Sequence, residues 1–176
     1  MPIVNAKEML LKATAENYAV GAFNVTNFLQ MKAVVETAVE KGSPVIIQSS
    51  VTPSKFRGPD VFAAIFRTMA SEAPVPICLH IDHCNEVDYC KRCADVGYTN
   101  VMIDASHHEF EENVRQTREV ADYCHARNIS VEGELGTVSG VEDQVVVAED
   151  EAQLCDPDLA VEFVDKTGID LLAPAI

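Results

Sequence analysis

The sequence predicts an α/β fold of the (β/α)8 TIM-barrel type, of which it supplies about the first six strands. Apolar runs of strand length alternate with longer amphipathic stretches along the whole chain, the pattern of parallel strands joined by helical crossovers. The runs near Ala19, Val45, Ile77, Val101, Val131 and Leu171 recur at similar intervals. An open doubly wound sheet is the alternative for six parallel strands, and the glycine-rich dinucleotide fingerprint that would support it does not follow the first strand.

A helix is expected over 6–17 and a first strand over 18–24. A helix over about 27–40 follows, with Leu29, Ala33, Val34 and Ala38 suggesting its buried face. Lys41, Gly42, Ser43 and Pro44 stop it, and 45–48 is the second strand. Residues 59–71 supply the next helix, 75–81 the third strand, and 86–96 a helix closed by Gly97. The unit then repeats as a strand over 100–104, a long helix over 110–127 and a strand over 129–135. Residues 136–152 form a polar, acidic connection of a length that often marks a functional loop. Pro157 suits the first turn of a helix over 157–167, and 170–175 begins a sixth strand. No helix follows to cover that strand, so residues 1–176 read as the N-terminal portion of a single barrel domain.

At 176 residues the chain has room for one domain with a sizeable core. A complete eight-fold barrel typically takes roughly 250 residues. No apolar run approaches the roughly 20 residues of a membrane-spanning helix, and no membrane partner is expected. The start, Met1-Pro2-Ile3-Val4-Asn5, lacks the basic-then-apolar pattern of a secretory signal, which makes a cytoplasmic location the expectation. A formal charge of −15 argues against a nucleic-acid partner, whose phosphates call for clustered Lys and Arg. Anionic small substrates stay open, because a lysine, a helix N-terminus or a metal ion can hold phosphate inside an acidic protein.

Six cysteines, Cys78, Cys84, Cys90, Cys93, Cys124 and Cys155, are expected to be reduced. Cys90 and Cys93 make a CxxC pair downstream of Cys84, but they fall within an expected helix and no second CxxC exists. Packed thiols are therefore the reading, ahead of a zinc knuckle.

Chemistry gathers at the strand ends. These carry Asn24, Gln48-Ser49-Ser50, Asp82-His83, Asp104 to His108, and Glu132-Gly133-Glu134. In a barrel such positions converge on one mouth. His83, Asp104 and Glu134 are candidate metal ligands, an imidazole with two carboxylates suited to zinc or a similar divalent ion. Asp82 is the candidate proton-transfer group. Asp104 and Ser106 are also good helix caps, so a purely structural use competes. Val131 and Leu135 alternate with Glu132 and Glu134, which turns at least one glutamate toward the mouth. His107 and His108 read as solvent-facing. Glu142, in the long loop near Gly136 and Gly140, is either part of an exposed acidic loop or a carboxylate that a mobile lid delivers.

The segments AVGAFNV, SPVIIQSS, LHIDHC, GYTNVMIDASHHEFEENV, VEGELGTVSGVEDQV and TGIDLLAPAI, in this order and spacing, resemble the class II metal-dependent ketose-bisphosphate aldolases. The similarity runs essentially from Met1 to Ile176. It implies a (β/α)8 barrel that reversibly cleaves fructose 1,6-bisphosphate into dihydroxyacetone phosphate and glyceraldehyde 3-phosphate. Tagatose 1,6-bisphosphate is the alternative substrate, and a partial barrel subunit needing a complementary chain the alternative role. The resemblance implies Zn²⁺ as catalytic ion, a second divalent or monovalent cation, and a homo-oligomer in the full-length protein. By motif, His83 matches a catalytic zinc ligand, Asp104 and Glu134 match a second or alternative metal position, and Asp82 matches the acid/base at the cleaved bond. Glu142 matches the loop carboxylate that moves the proton on the dihydroxyacetone phosphate carbon, while Asn24 and Ser50 match substrate contacts.

The sequence departs from that pattern in several places. Cys84 stands where the family usually has glycine after the zinc histidine, at a point where a side chain would crowd the site or add a thiolate. The stretch Ser50 to Lys55 lacks the usual glycine, and Ser139 replaces a loop glycine. The family's two further zinc histidines fall beyond Ile176, so full turnover is not expected of these 176 residues alone.

Overall fold

The computed structural model describes residues 2–138, 140–142, 145–147 and 153–176, the side chains of 141–142 and 145–147 excepted. Six parallel strands form one sheet: β1 (Gly21–Asn24), β2 (Val45–Ser50), β3 (Ile77–Cys84), β4 (Asn100–Ile103), β5 (Ser130–Leu135) and β8 (Leu171–Pro174). A short antiparallel hairpin, β6 (Gly140–Glu142) and β7 (Val145–Val147), lies between the last two in sequence. A doubly wound sheet reverses its strand order at a switch point. Here each strand pairs with the next along the chain, so the sheet winds one way and curls into a partial (β/α)8 barrel.

Helices α1 (Ala6–Glu16), α2 (Phe28–Lys41), α3 (Val51–Arg57), α4 (Pro59–Ala70), α5 (Val87–Val96), α6 (Phe110–His125) and α7 (Pro157–Thr167) fill the connections. Their ends follow local chemistry. Asn27 accepts from the Gln30 N–H at 3.0 Å to start α2, and Asp156 accepts from the Asp158 and Leu159 N–H groups to start α7, with Pro157 in its first turn.

The strand faces alternate between two environments. Val45, Ile47, Ile77, Leu79, Ile81, Val101, Ile103 and Val131 pack outward against Phe62, Phe66, Tyr98 and Phe163 in the main core. On the inner face Ile46 and Cys78 meet Ala6 and Met9, so α1 covers the N-terminal end of the strands. Gly133 sits where the helix layer comes closest. A Cβ there would lie 3.0 Å from Thr117, 3.1 Å from Phe163 and 3.3 Å from Ile169, which fixes the outward direction of this position and turns Glu132 and Glu134 inward.

Three features differ from the sequence reading. The buried face of α2 is Met31, Val35 and Ala38, while Leu29 and Ala33 are exposed and Val34 only half-buried. The helix α3 follows β2 directly in a stretch the sequence left without an element. The expected loop over 136–152 contains the β6–β7 hairpin. Gly136 stands at its base with φ 87°, and a Cβ there would meet the Gln153 carbonyl at 2.6 Å, so only glycine fits.

Asp170 ties the lower end of the sheet together. Its side chain is almost fully buried and receives Lys7 Nζ at 2.8 Å, His125 Nε2 at 2.8 Å and the Val131 N–H at 2.9 Å. Burial works to raise this carboxyl, but Lys7, Val131 and His125 outweigh it and hold it below the usual range. With the folded pKa depressed, the stabilisation is complete above the unfolded value of about 3.9 and is lost as pH falls through the folded value. Asp170→Asn is expected to destabilise the protein by about 2–3 kcal/mol at neutral pH. Urea midpoints followed by circular dichroism between pH 7 and pH 3 check this: the unmodified protein loses stability more steeply below pH 4 than the variant.

Candidate metal centre at the strand ends

A bulge in β3 builds the site. Ile81 pairs with Val101 and Cys84 with Ile103, so Asp82 and His83 together stand opposite Met102 alone. Such an extra residue bends the strand and re-aims its side chains. His83 absorbs the bend with φ 45°, and its N–H points to Met102 Sδ at 3.4 Å. Asp82 and His83 would face opposite sides of a regular strand; the bulge brings both to the mouth.

His83, Asp104 and Glu134 then converge. His83 Nδ1 lies 3.3 Å from Asp104 Oδ2 and 3.3 Å from Glu134 Oε2, and all three donor atoms lie within 4.8 Å of one another. Zinc bonds of about 2.0–2.2 Å in a tetrahedron place donors roughly 3.3–3.6 Å apart, a spacing that both His83 distances match. The Asp104 and Glu134 side chains are 7% and 9% exposed, which leaves two carboxylates facing one imidazole out of bulk water. Asp104 and then Glu134 push the ring up to about 11 against the opposing effect of burial, an electrostatic demand for positive charge.

The surroundings orient these donors. Asp104 Oδ1 accepts from the Ser106 N–H at 3.1 Å and the Ser106 hydroxyl at 2.6 Å, leaving Oδ2 for His83. Asp104 and Ser106 do not cap the following helix, which starts at Phe110 after Glu109 with no side-chain cap; they bond to each other in the turn after β4. Burial works to raise Asp104, but His83 and Ser106 hold it below the usual carboxylate range. Buried Asn113 donates to the Glu134 backbone carbonyl at 2.9 Å and is itself held by Thr117, fixing β5 beneath the site.

Asp82 occupies a separate compartment. Its Oδ2 accepts from Asn24 Nδ2 at 2.6 Å, and its Oδ1 accepts from Gln48 Nε2 at 2.8 Å, with His80 Nε2 at 3.5 Å. Asn24 also donates to Ser50 Oγ at 3.3 Å, so both expected substrate contacts join the same network. Burial raises the Asp82 carboxyl, yet His80, Asn24 and the nearby His83 hold it lowered overall, as an anion. Gln48 and Ser50 stand in register with His80 and Asp82 across the β2–β3 pairing, which is why these groups meet.

The remaining candidates separate. His107 and His108 are exposed, in tilted ring contact with centroids 4.0 Å apart, and stand outside the metal cluster. Cys84 belongs to the core: its thiol points to the Glu86 carbonyl at 3.5 Å and packs with Cys90 and Cys93 of α5, so it neither crowds the mouth nor offers a thiolate there. Lys55, on α3, forms an ion pair with Glu86. Glu142 falls on the backbone of β6, its side chain outside the described residues, as is Ser139. The sequence reading missed His80, whose signal was its position two residues before Asp82 and therefore on the same strand face.

Comparison with known proteins gives a consistent set of likenesses. The sequence model described as "Fructose-bisphosphate aldolase class-II" matches residues 4–176. The fructose-bisphosphate aldolase of Helicobacter pylori is 43% identical over 175 residues, which are 99% of this chain and 57% of that protein. The Giardia intestinalis enzyme of the same name is 42% identical over 177 residues, covering all of this chain and 54% of its own length. The solved YdjI aldolase of Escherichia coli K12 superposes with a TM-score of 0.87 at 34% identity, over 99% of this chain and 62% of that one. The chain thus spans little more than half the length of the curated relatives it matches.

Proposed function

Since the chain belongs to the class II fructose-bisphosphate aldolase family, we propose that it carries the metal-binding and proton-transfer half of a Zn²⁺-dependent aldolase. The reaction is the reversible cleavage of fructose 1,6-bisphosphate to dihydroxyacetone phosphate and glyceraldehyde 3-phosphate. The observation that carries this reading is the His83–Asp104–Glu134 cluster one residue away from an anionic, donor-bound Asp82. The curated relatives named fructose-bisphosphate aldolase favour fructose over tagatose.

His83 would hold the catalytic ion in this reading, and Asp104 and Glu134 would serve a second or alternative metal position beside it. A bound divalent ion supplies Lewis-acid stabilisation of the charge that develops on the dihydroxyacetone phosphate half. Asp82 takes the proton from the C4 hydroxyl; the C3–C4 electron pair passes to C3 while C4 becomes the aldehyde carbonyl. Glu142 supplies a proton to C3, completing dihydroxyacetone phosphate, and each carboxyl group reverses its role in condensation. Asn24 and Ser50 hold the substrate beside Asp82. A cytoplasmic, glycolytic setting belongs to the same proposal. So does homo-oligomer formation in the full-length protein.

The test is a coupled assay for dihydroxyacetone phosphate release. It is run on the chain alone and on the chain extended by the part of the Helicobacter pylori relative that lies beyond the matched segment. Turnover in the extended form is expected, abolished by dipicolinate and restored by Zn²⁺. A folded extended form that binds Zn²⁺ and cleaves neither fructose nor tagatose bisphosphate would reject the proposal.

A further inference from the structure

A buried polar file runs along the inner face of the sheet behind Asp82. His80 Nδ1 lies 2.6 Å from Asn100 Nδ2, Asn100 Oδ1 meets Ser130 Oγ, and Ser130 Oγ accepts the Ala6 N–H at 2.9 Å. His80, Asn100 and Ser130 are each at most 2% exposed, so they must satisfy one another. His80 Nε2 has no closer partner than Asp82 Oδ1 at 3.5 Å. Sheet register sets the file up, since His80 pairs with Asn100 and Asn100 with Ser130.

The carboxylate decides where every proton lies. A bare Nε2 lone pair facing an anion in a dry interior is repulsive, so Nε2 carries the proton. Nδ1 is then an acceptor, and Asn100 must present its amino group to it. The Asn100 carbonyl consequently faces Ser130, whose hydroxyl donates while its oxygen takes the Ala6 N–H. Turning the Asn100 amide round would reverse the whole file and leave Nε2 without its proton opposite Asp82.

We propose that His80 is a positioning residue, set as its Nε2–H tautomer by Asp82 and matched on its other side by Asn100 and Ser130, which joins Gln48 in holding Asp82 Oδ1. Oδ2, whose partner Asn24 is exposed, is thereby left as the oxygen that exchanges the proton with substrate. The identity of that exchanged proton rests on the aldolase reading; the placement of the ring proton does not.

Nitrogen-15 spectra of the histidine-labelled chain test the placement, with the His80 ring assigned through His80→Phe. The Nε2–H tautomer is expected in the unmodified chain. Asp82→Ala should remove the preference. An Nδ1–H ring in the unmodified chain, or a tautomer indifferent to Asp82→Ala, overturns the proposal. In the extended form that cleaves fructose 1,6-bisphosphate, His80→Phe should lower kcat by about 10–100-fold, as loss of an orienting partner does elsewhere, with KM changed by less than about threefold. His80→Gln, which retains an N–H near the Nε2 position, should recover part of kcat, and it carries the test if the phenylalanine variant does not fold. An unchanged kcat in a folded variant overturns the positioning role alone. Absence of turnover in every form counts against the aldolase reading, and the ring spectra still decide the coupling.

Discussion

Asp82→Asn in the extended form lowers kcat by about 10²–10⁴ while Zn²⁺ still binds, if Asp82 is the acid/base. The carboxylate accepts from Asn24 on one oxygen and from Gln48 on the other, with His80 also facing the second. An amide at this position has one acceptor oxygen, so one of those donors meets an N–H instead. The substitution therefore removes the proton carrier and also disturbs Asn24 or Gln48. The metal cluster shares none of these contacts, which makes zinc titration by calorimetry the control. Loss of turnover together with zinc binding would point to general disruption, and full turnover with zinc bound would remove Asp82 from the reaction.

His83→Asn tests the other half of the site on the chain as it stands. Asparagine tolerates positive φ better than most residues, so it preserves the backbone at φ 45° while removing the imidazole. Zinc affinity should weaken by at least about 100-fold, since loss of a mere outer-shell partner already costs 10–100-fold. Zn²⁺ at one hundred times Kd should stabilise the unmodified chain by about 2.7 kcal/mol, a rise of about 5–10 °C in Tm. The variant should show no such rise at the same concentration. An equal rise in both would place the bound ion somewhere other than His83.

Much of this arrangement is legible in the sequence, and the residues show why some of it is not. The six strands and their polar ends follow from two-residue alternation and regular recurrence, and His83, Asp104 and Glu134 do come together. Periodicity says that α2 is amphipathic but not which of two neighbouring rows meets the sheet. Leu29 and Ala33 form one row, Met31 and Val35 another, and only packing selects the second. The bulge depends on how β3 pairs with β4, a relation between distant segments that neither segment encodes alone. His80 was hidden for a similar reason: Asn100 and Ser130, which define its chemistry, come from two other strands.

The candidate ligands sit on three successive strands, one each at the ends of β3, β4 and β5. An ion held there would act as a cross-link that forms only after those strands have aligned, because the donors are far apart in sequence and loop closure must come first. Metal capture then belongs late on the folding path, after the rate-limiting barrier. Its kinetic signature is slower unfolding with little change in the folding rate, so the centre would govern how long the sheet stays closed more than how quickly it closes.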